Sequence, residues 1–238
     1  MLVLLYGCPL PQIHDIMAIV FKKGGTIMLR HKYLREVPLP DGLTNSDIYR
    51  ALEDTQAFFS LIRERTGIKL SEIIQANNFS GVVSNVFTKM LSNNSVYKSY
   101  HDQRFPDLMH EEHPIGLEVK ASNKPMKGGE GHNGHSGWHI VVCFEILDSG
   151  DIEFVQVEIA ELVGFEYPNS DWKYQGSSRN ENNSQRTETY ITTNVGTAKL
   201  RDGSLYLNSD IVHISSHLKK NRENLSSTLP IPRFSPFY

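Results

Sequence analysis

Apolar residues recur along this chain at two spacings, and the change between them divides it. From Asn45 to Leu91 the spacing is helical. Ile48, Leu52, Phe59 and Ile62 share one face of a helix that Asn45-Ser46 caps, with Asp47 in its first turn and Gly67 as its stop. Two further helices are expected over Ser71–Ala76 and Gly81–Leu91, the second carrying Val82, Val86 and Met90 beside Val83, Phe87 and Leu91. From Phe105 onward the pattern alternates. It predicts strands over Phe105–Leu108, Ile115–Ser122, Trp138–Leu147 and Asp151–Ile159, with Asp148-Ser149-Gly150 as the turn between the last two. A hairpin is expected from Gly196–Leu200 to Ser204–Leu207 around Arg201-Asp202-Gly203. Ahead of all this, Ile16–Phe21 and Thr26–Leu29 read as two short strands around Lys22-Lys23-Gly24-Gly25, before Pro38, Pro40 and Asp41-Gly42 break the chain.

Helices followed by strands within 238 residues, 39% of them hydrophobic, suit one domain with a sizeable core. The expected class is α/β (α+β mixed), with a central mixed β-sheet flanked by helices. No apolar run approaches the roughly 20 residues that cross a bilayer, so no membrane partner is expected. The opening Met1-Leu2-Val3-Leu4-Leu5-Tyr6-Gly7-Cys8 lacks a basic leader and reads as a buried strand. Cys8 and Cys143 sit in apolar surroundings, as reduced thiols of a cytoplasmic protein would.

A net charge of -3 and a pI near 6.4 do not advertise binding to nucleic acid. Local clusters temper this: Arg30-His31-Lys32 with Arg35, and Lys219-Lys220-Asn221-Arg222. Each reads equally as a phosphate contact or a solvated face.

The segment with the most chemistry is Ile115-Gly116-Leu117-Glu118-Val119-Lys120-Ala121. Alternation sends Leu117, Val119 and Ala121 to one face and Glu118 and Lys120 to the other. Pro106-Asp107 stands a hairpin's length upstream, so an antiparallel return brings Asp107 beside Glu118. Two adjacent carboxylates stay ionised most easily around a divalent cation, and hard oxygen ligands suit Mg²⁺. Lys120, facing the same pocket, is placed to orient or deprotonate a water or to neutralise developing charge. The plain alternative is a wet strand face with an ordinary i, i+2 ion pair.

Pro106-Asp107 followed by Glu118-Val119-Lys120 resembles the PD-(D/E)XK nuclease superfamily. Arg104-Phe105-Pro106-Asp107-Leu108 and Gly116–Ala121 are especially similar to type II restriction endonucleases and to the mismatch-repair nicking nuclease. The resemblance covers roughly residues 70 to 147. It implies a restriction-endonuclease-like fold and Mg²⁺-dependent hydrolysis of double-stranded DNA, leaving 5′-phosphate and 3′-hydroxyl ends. It further implies Asp107 and Glu118 as metal ligands, Lys120 as the catalytic lysine, and a homodimer matched to palindromic sites. Members often add an acid from an upstream helix. Here Asn85 or Thr88 stands in that place, leaving Glu72 or the carbonyl of Val119 as the substitute.

The stretch Lys127-Gly128-Gly129-Glu130-Gly131-His132-Asn133-Gly134-His135 reads as a flexible loop whose Lys127, His132 and His135 contact phosphates, or as a surface loop. His132 with His135, or His110 with His113, is the alternative pair for zinc. The polar region near 168–194 is the expected DNA-recognition loop. Lys173, Tyr174, Arg179, Asn183 and Arg186 are its candidate readers of base edges, and Lys199 and Arg201 are weaker ones. A non-catalytic zinc- or DNA-binding protein is the competing class, and a repair or nicking enzyme is the alternative within nucleases.

Overall fold

The helix α1 (Asn45–Thr66) begins one residue earlier than Asn45-Ser46 suggests, because Thr44 and Asp47 cap each other. Asp47 N–H donates to the Thr44 hydroxyl at 3.2 Å, and the Asp47 carboxylate accepts from Thr44 N–H at 3.0 Å. Gly67, at φ 72°, closes the helix with its N–H on the Arg63 carbonyl. These elements come from a computed structural model that describes residues 29–100, 105–128, 130–131, 134–176 and 189–238. The expected strands over 16–21 and 26–29 lie outside the described residues, apart from Leu29, which is buried. Cys8 lies outside them too, while Cys143 is a buried free thiol.

After α1 comes a single turn, α2 (Leu70–Ile73), and then α3 (Ala76–Asn94). The expected helix over 71–76 is therefore shorter and breaks at Ile74-Gln75, where the backbone is extended before α3 begins. Phe79, Val83, Phe87 and Leu91 bury the inner face of α3.

The strands are β1 (Tyr97–Ser99), β2 (Leu108–His110), β3 (Gly116–Ser122), β4 (Glu130–Gly131), β5 (Gly137–Ile146), β6 (Ile152–Leu162), β7 (Trp172–Gly176), β8 (Thr189–Thr192) and β9 (Ser204–Leu207). Six form a central sheet in the order β1-β2-β3-β5-β6-β9. Its pairs are antiparallel except β3 with β5, so the sheet is mixed. β2 begins later than expected, which leaves Phe105, Pro106 and Asp107 as a lead-in rather than strand.

On one face, α1 and α3 pack against Leu117, Val119, Ile140 and Phe154. On the other, α4 (Asn194–Asp202) covers a second core with Val141, Cys143, Val155 and Leu200. The chain is thus a mixed α/β fold with helices on both faces of a central sheet. A last helix, α5 (Ser216–Asn224), follows, and among the described residues no helix is long and apolar enough to cross a membrane.

The expected hairpin over 196–207 is instead α4 followed directly by β9. The Thr193 hydroxyl accepts from Gly196 N–H at 3.2 Å and starts the helix, whose buried residues Gly196, Ala198, Leu200 and Asp202 mimic strand alternation. Gly203 makes the abrupt change possible, because a Cβ there would stand 1.8 Å from the Ile159 carbonyl oxygen. The polar region near 168–194 is likewise not one loop. It contributes β7 and β8 to a three-stranded antiparallel sheet, β4-β8-β7.

Candidate active site

Sheet register assembles the candidate site. β2 pairs with β3 through Leu108↔Leu117 and Met109↔Gly116, so the next position along places Asp107 beside Glu118. The approach needs Gly116: a Cβ there would lie 2.3 Å from Pro106 Cγ. Beyond Leu117 no β2 residue pairs with β3, and the open edge is met by side chains. The Asp107 carboxylate accepts the Val119 N–H at 2.8 Å. A strand residue's N–H and C=O leave on the same edge, and the Ser84 hydroxyl of α3 donates to the Val119 carbonyl at 3.2 Å.

Leu117 and Val119 bury toward α3, which turns Glu118 and Lys120 to the opposite face. There the Lys120 ammonium donates to Glu118 Oε1 in a short ion pair. Glu118 Oε2 is buried without a hydrogen-bond partner. Burial, together with the adjacent Glu118 charge, pushes the Asp107 carboxyl up to about 6, against the opposing pull of the Val119 N–H and Lys120. Two carboxylates therefore share one nearby ammonium.

The parallel register sets His139 of β5 opposite Glu118 on the same face. It is 4% exposed, and burial pushes its imidazole down to about 4, with the Lys120 and His135 charges adding to the effect. Nδ1 lies 2.9 Å from the Gly137 carbonyl, so the neutral ring donates there. Its ring leans on Trp172, and the Trp172 indole N–H donates to the His135 carbonyl at 3.0 Å. His135 packs on Phe105 with ring centres 4.1 Å apart, two residues before Asp107.

The other candidates divide. Lys127, Lys173 and Tyr174 are exposed, as DNA contacts must be, whereas His132, Arg179, Asn183 and Arg186 lie outside the described residues. Lys199 is held by buried Asp171 at 2.7 Å and Arg201 by the Met126 carbonyl at 2.6 Å, so both act in packing rather than as free readers of bases. Glu72 is exposed in an ion pair with Lys69, and Asn85 is exposed on α3. Ser84, between buried Val83 and Phe87 of that helix, hydrogen-bonds to β3. His110 Nδ1 accepts from the Glu112 and His113 N–H groups at 3.0 and 3.1 Å, which takes the lone pair a zinc ion would need there. Among the described residues no group of three or more His, Cys, Asp or Glu converges as a metal cage.

The donors at the β2–β3 edge suit a hard cation: two carboxylates, one of them with an unsatisfied oxygen, and an edge carbonyl. A divalent ion there would offset the burial and the Glu118 repulsion that together raise Asp107. Ser84 and His139 are the residues that sequence patterning misses. Their signals are the helix face that meets β3 and the parallel register of β5. Comparison with protein family models, with curated proteins and with solved structures finds no match.

Proposed function

We propose that the protein is a Mg²⁺-dependent endonuclease of the restriction-endonuclease-like type, hydrolysing phosphodiester bonds of double-stranded DNA at a specific sequence. The observation that carries this reading is the partly buried Asp107–Glu118 pair, with Lys120 beside it and the buried Glu118 Oε2 left without a partner. Asp107, Glu118 and the Val119 carbonyl would hold the metal, which when bound stabilises phosphate charge and acidifies a water. Lys120 reaches the same face and supplies a cation where charge develops on the phosphate oxygens. Asp107 also fixes the Val119 peptide, so one residue sets both a ligand and the strand that carries the other two groups. Exposed Lys127, between β3 and β4, and exposed Lys173 and Tyr174 of β7 would contact the DNA. Products with 5′-phosphate and 3′-hydroxyl ends, a homodimer and a cytoplasmic setting belong to the same proposal.

Incubation with plasmid DNA and Mg²⁺, with EDTA as control, tests it. Discrete fragments are the expected result. Nicked circles alone would move the reading to a nicking or repair enzyme, and DNA left intact under every condition overturns it.

A further inference from the structure

Hydroxyl side chains on and beside the helices of this protein divide: Ser92 meets β1 and Thr197 meets β8, while others return to their own backbone. Thr55 donates to the Ala51 carbonyl at 2.6 Å, Thr66 to Ile62 at 2.7 Å and Ser95 to Leu91 at 2.7 Å. Ser84 is of the first kind. Its hydroxyl leaves α3 and donates to Val119, the residue between Glu118 and Lys120. The Val119 N–H is held by Asp107, and β3 has no pairing with β2 at this point. The Val119 peptide neighbourhood is therefore fixed at its N–H by a candidate metal ligand and at its C=O by a helix.

We infer that Ser84 is a positioning residue for the proposed cleavage: it tethers α3 to the Val119 carbonyl and so sets the directions of Glu118 and Lys120. This rests on the nuclease reading and deepens it. A strand edge without ladder bonds has two loose ends, and rotation of one peptide plane tilts the side chains on both sides of it. The carbonyl's own direction is set by the same bond, so the oxygen that faces the Asp107 edge stays there when substrate arrives. Small displacements matter at this scale, since misplacement by about 1 Å costs on the order of a hundredfold in rate. Ser84 touches neither phosphate nor water in this role. It acts through Val119.

The experiment is single-turnover cleavage of a duplex oligonucleotide carrying the mapped site, with Mg²⁺, by the wild-type chain, Ser84→Ala and Ser84→Thr, alongside thermal melting of each. Ser84→Ala is expected to slow the rate at saturating DNA roughly tenfold, to leave the DNA concentration for half-maximal rate within about twofold, and to melt as a folded protein. Ser84→Thr, which keeps the hydroxyl, is expected to recover most of the rate. Wild-type speed in Ser84→Ala overturns the inference while leaving the nuclease reading intact. So does a loss that appears only in DNA affinity, or one that the threonine variant fails to recover while folded. A wild-type chain that cuts no DNA overturns the nuclease reading and this inference with it.

Discussion

Two charge clusters in this protein, one fully buried and one partly, are built to opposite specifications. Near the C-terminus, Arg222 and Asp202 are 3% and 4% exposed, and neither side chain has a buried polar atom left without a partner. The guanidinium meets Asp202 at 2.7–3.1 Å and the Leu229 and Pro230 carbonyls at 2.8 and 3.0 Å, while the Ser235 hydroxyl donates to Asp202 at 2.7 Å. At the β2–β3 edge, Asp107 and Glu118 face one ammonium, one oxygen has no partner, and Asp107 is driven toward protonation. The first cluster is complete and pins the segment from Leu229 to Ser235 onto α4 and α5. The second is short of positive charge, and a group that is costly to bury unpaired is the kind that marks a binding site.

Four substitutions and conditions break or sharpen that contrast. The largest effect belongs to Asp107→Asn, which preserves shape and an acceptor for Val119 but removes the charge. Plasmid cleavage is expected to fall by a factor on the order of a thousand or more, with a melting temperature no lower than that of the wild type. Full activity in this variant would remove the site. Next is Arg222→Met, which strands buried Asp202 and is expected to cost roughly 3–5 kcal/mol in urea unfolding, while the cleavage rate per folded molecule stays the same.

Glu158 tests an intermediate case. It is 1% exposed, one oxygen is unpaired, and burial pushes its carboxyl up to about 7, against the favourable charge of Arg201 and the bond from Gln156. A carboxyl raised in the folded state contributes stability that is fully present below its unfolded value of 4.5 and lost as pH rises through about 7. Glu158→Gln is therefore expected to raise stability on the order of 2 kcal/mol at pH 8 and to change little near pH 4. Equal melting curves at pH 8 would contradict it. Comparable in size is His139, whose depressed value gives stability present above 6.5 and lost as pH falls toward 4. Replacing it with Gln should flatten the melting profile across that window by on the order of 2 kcal/mol.

Short-range physics made much of this readable in advance. Alternation alone puts Glu118 and Lys120 on one face, and a hairpin length puts Asp107 within reach, because β2 and β3 meet through a local return of the chain. The Gly67 stop and the turn at Asp148-Ser149-Gly150 are likewise local. The rest depends on distant partners. His139 stands next to Glu118 only because β3 and β5 pair in parallel, and no residue near either strand announces that register. Ser84 sits at the rim of a helix face whose apolar residues are obvious, but which rim meets Val119 is decided by packing. The α4 error has a different origin: over nine residues, burial at every second position fits a strand as well as a helix, and the Thr193 cap decides. Trp172 and Tyr174 of β7 are masked by the Asn- and Ser-rich sequence around them.

The bond from Val119 N–H to Asp107 has one more consequence, in the exchange of hydrogen with solvent. Most strand amides are protected by another backbone, and they open only when the sheet does. The Val119 amide is protected by a single carboxylate at an unpaired edge. Its exchange rate therefore follows the state of Asp107 rather than the stability of the sheet, and one backbone proton serves as a built-in reporter of whether that side chain is in place.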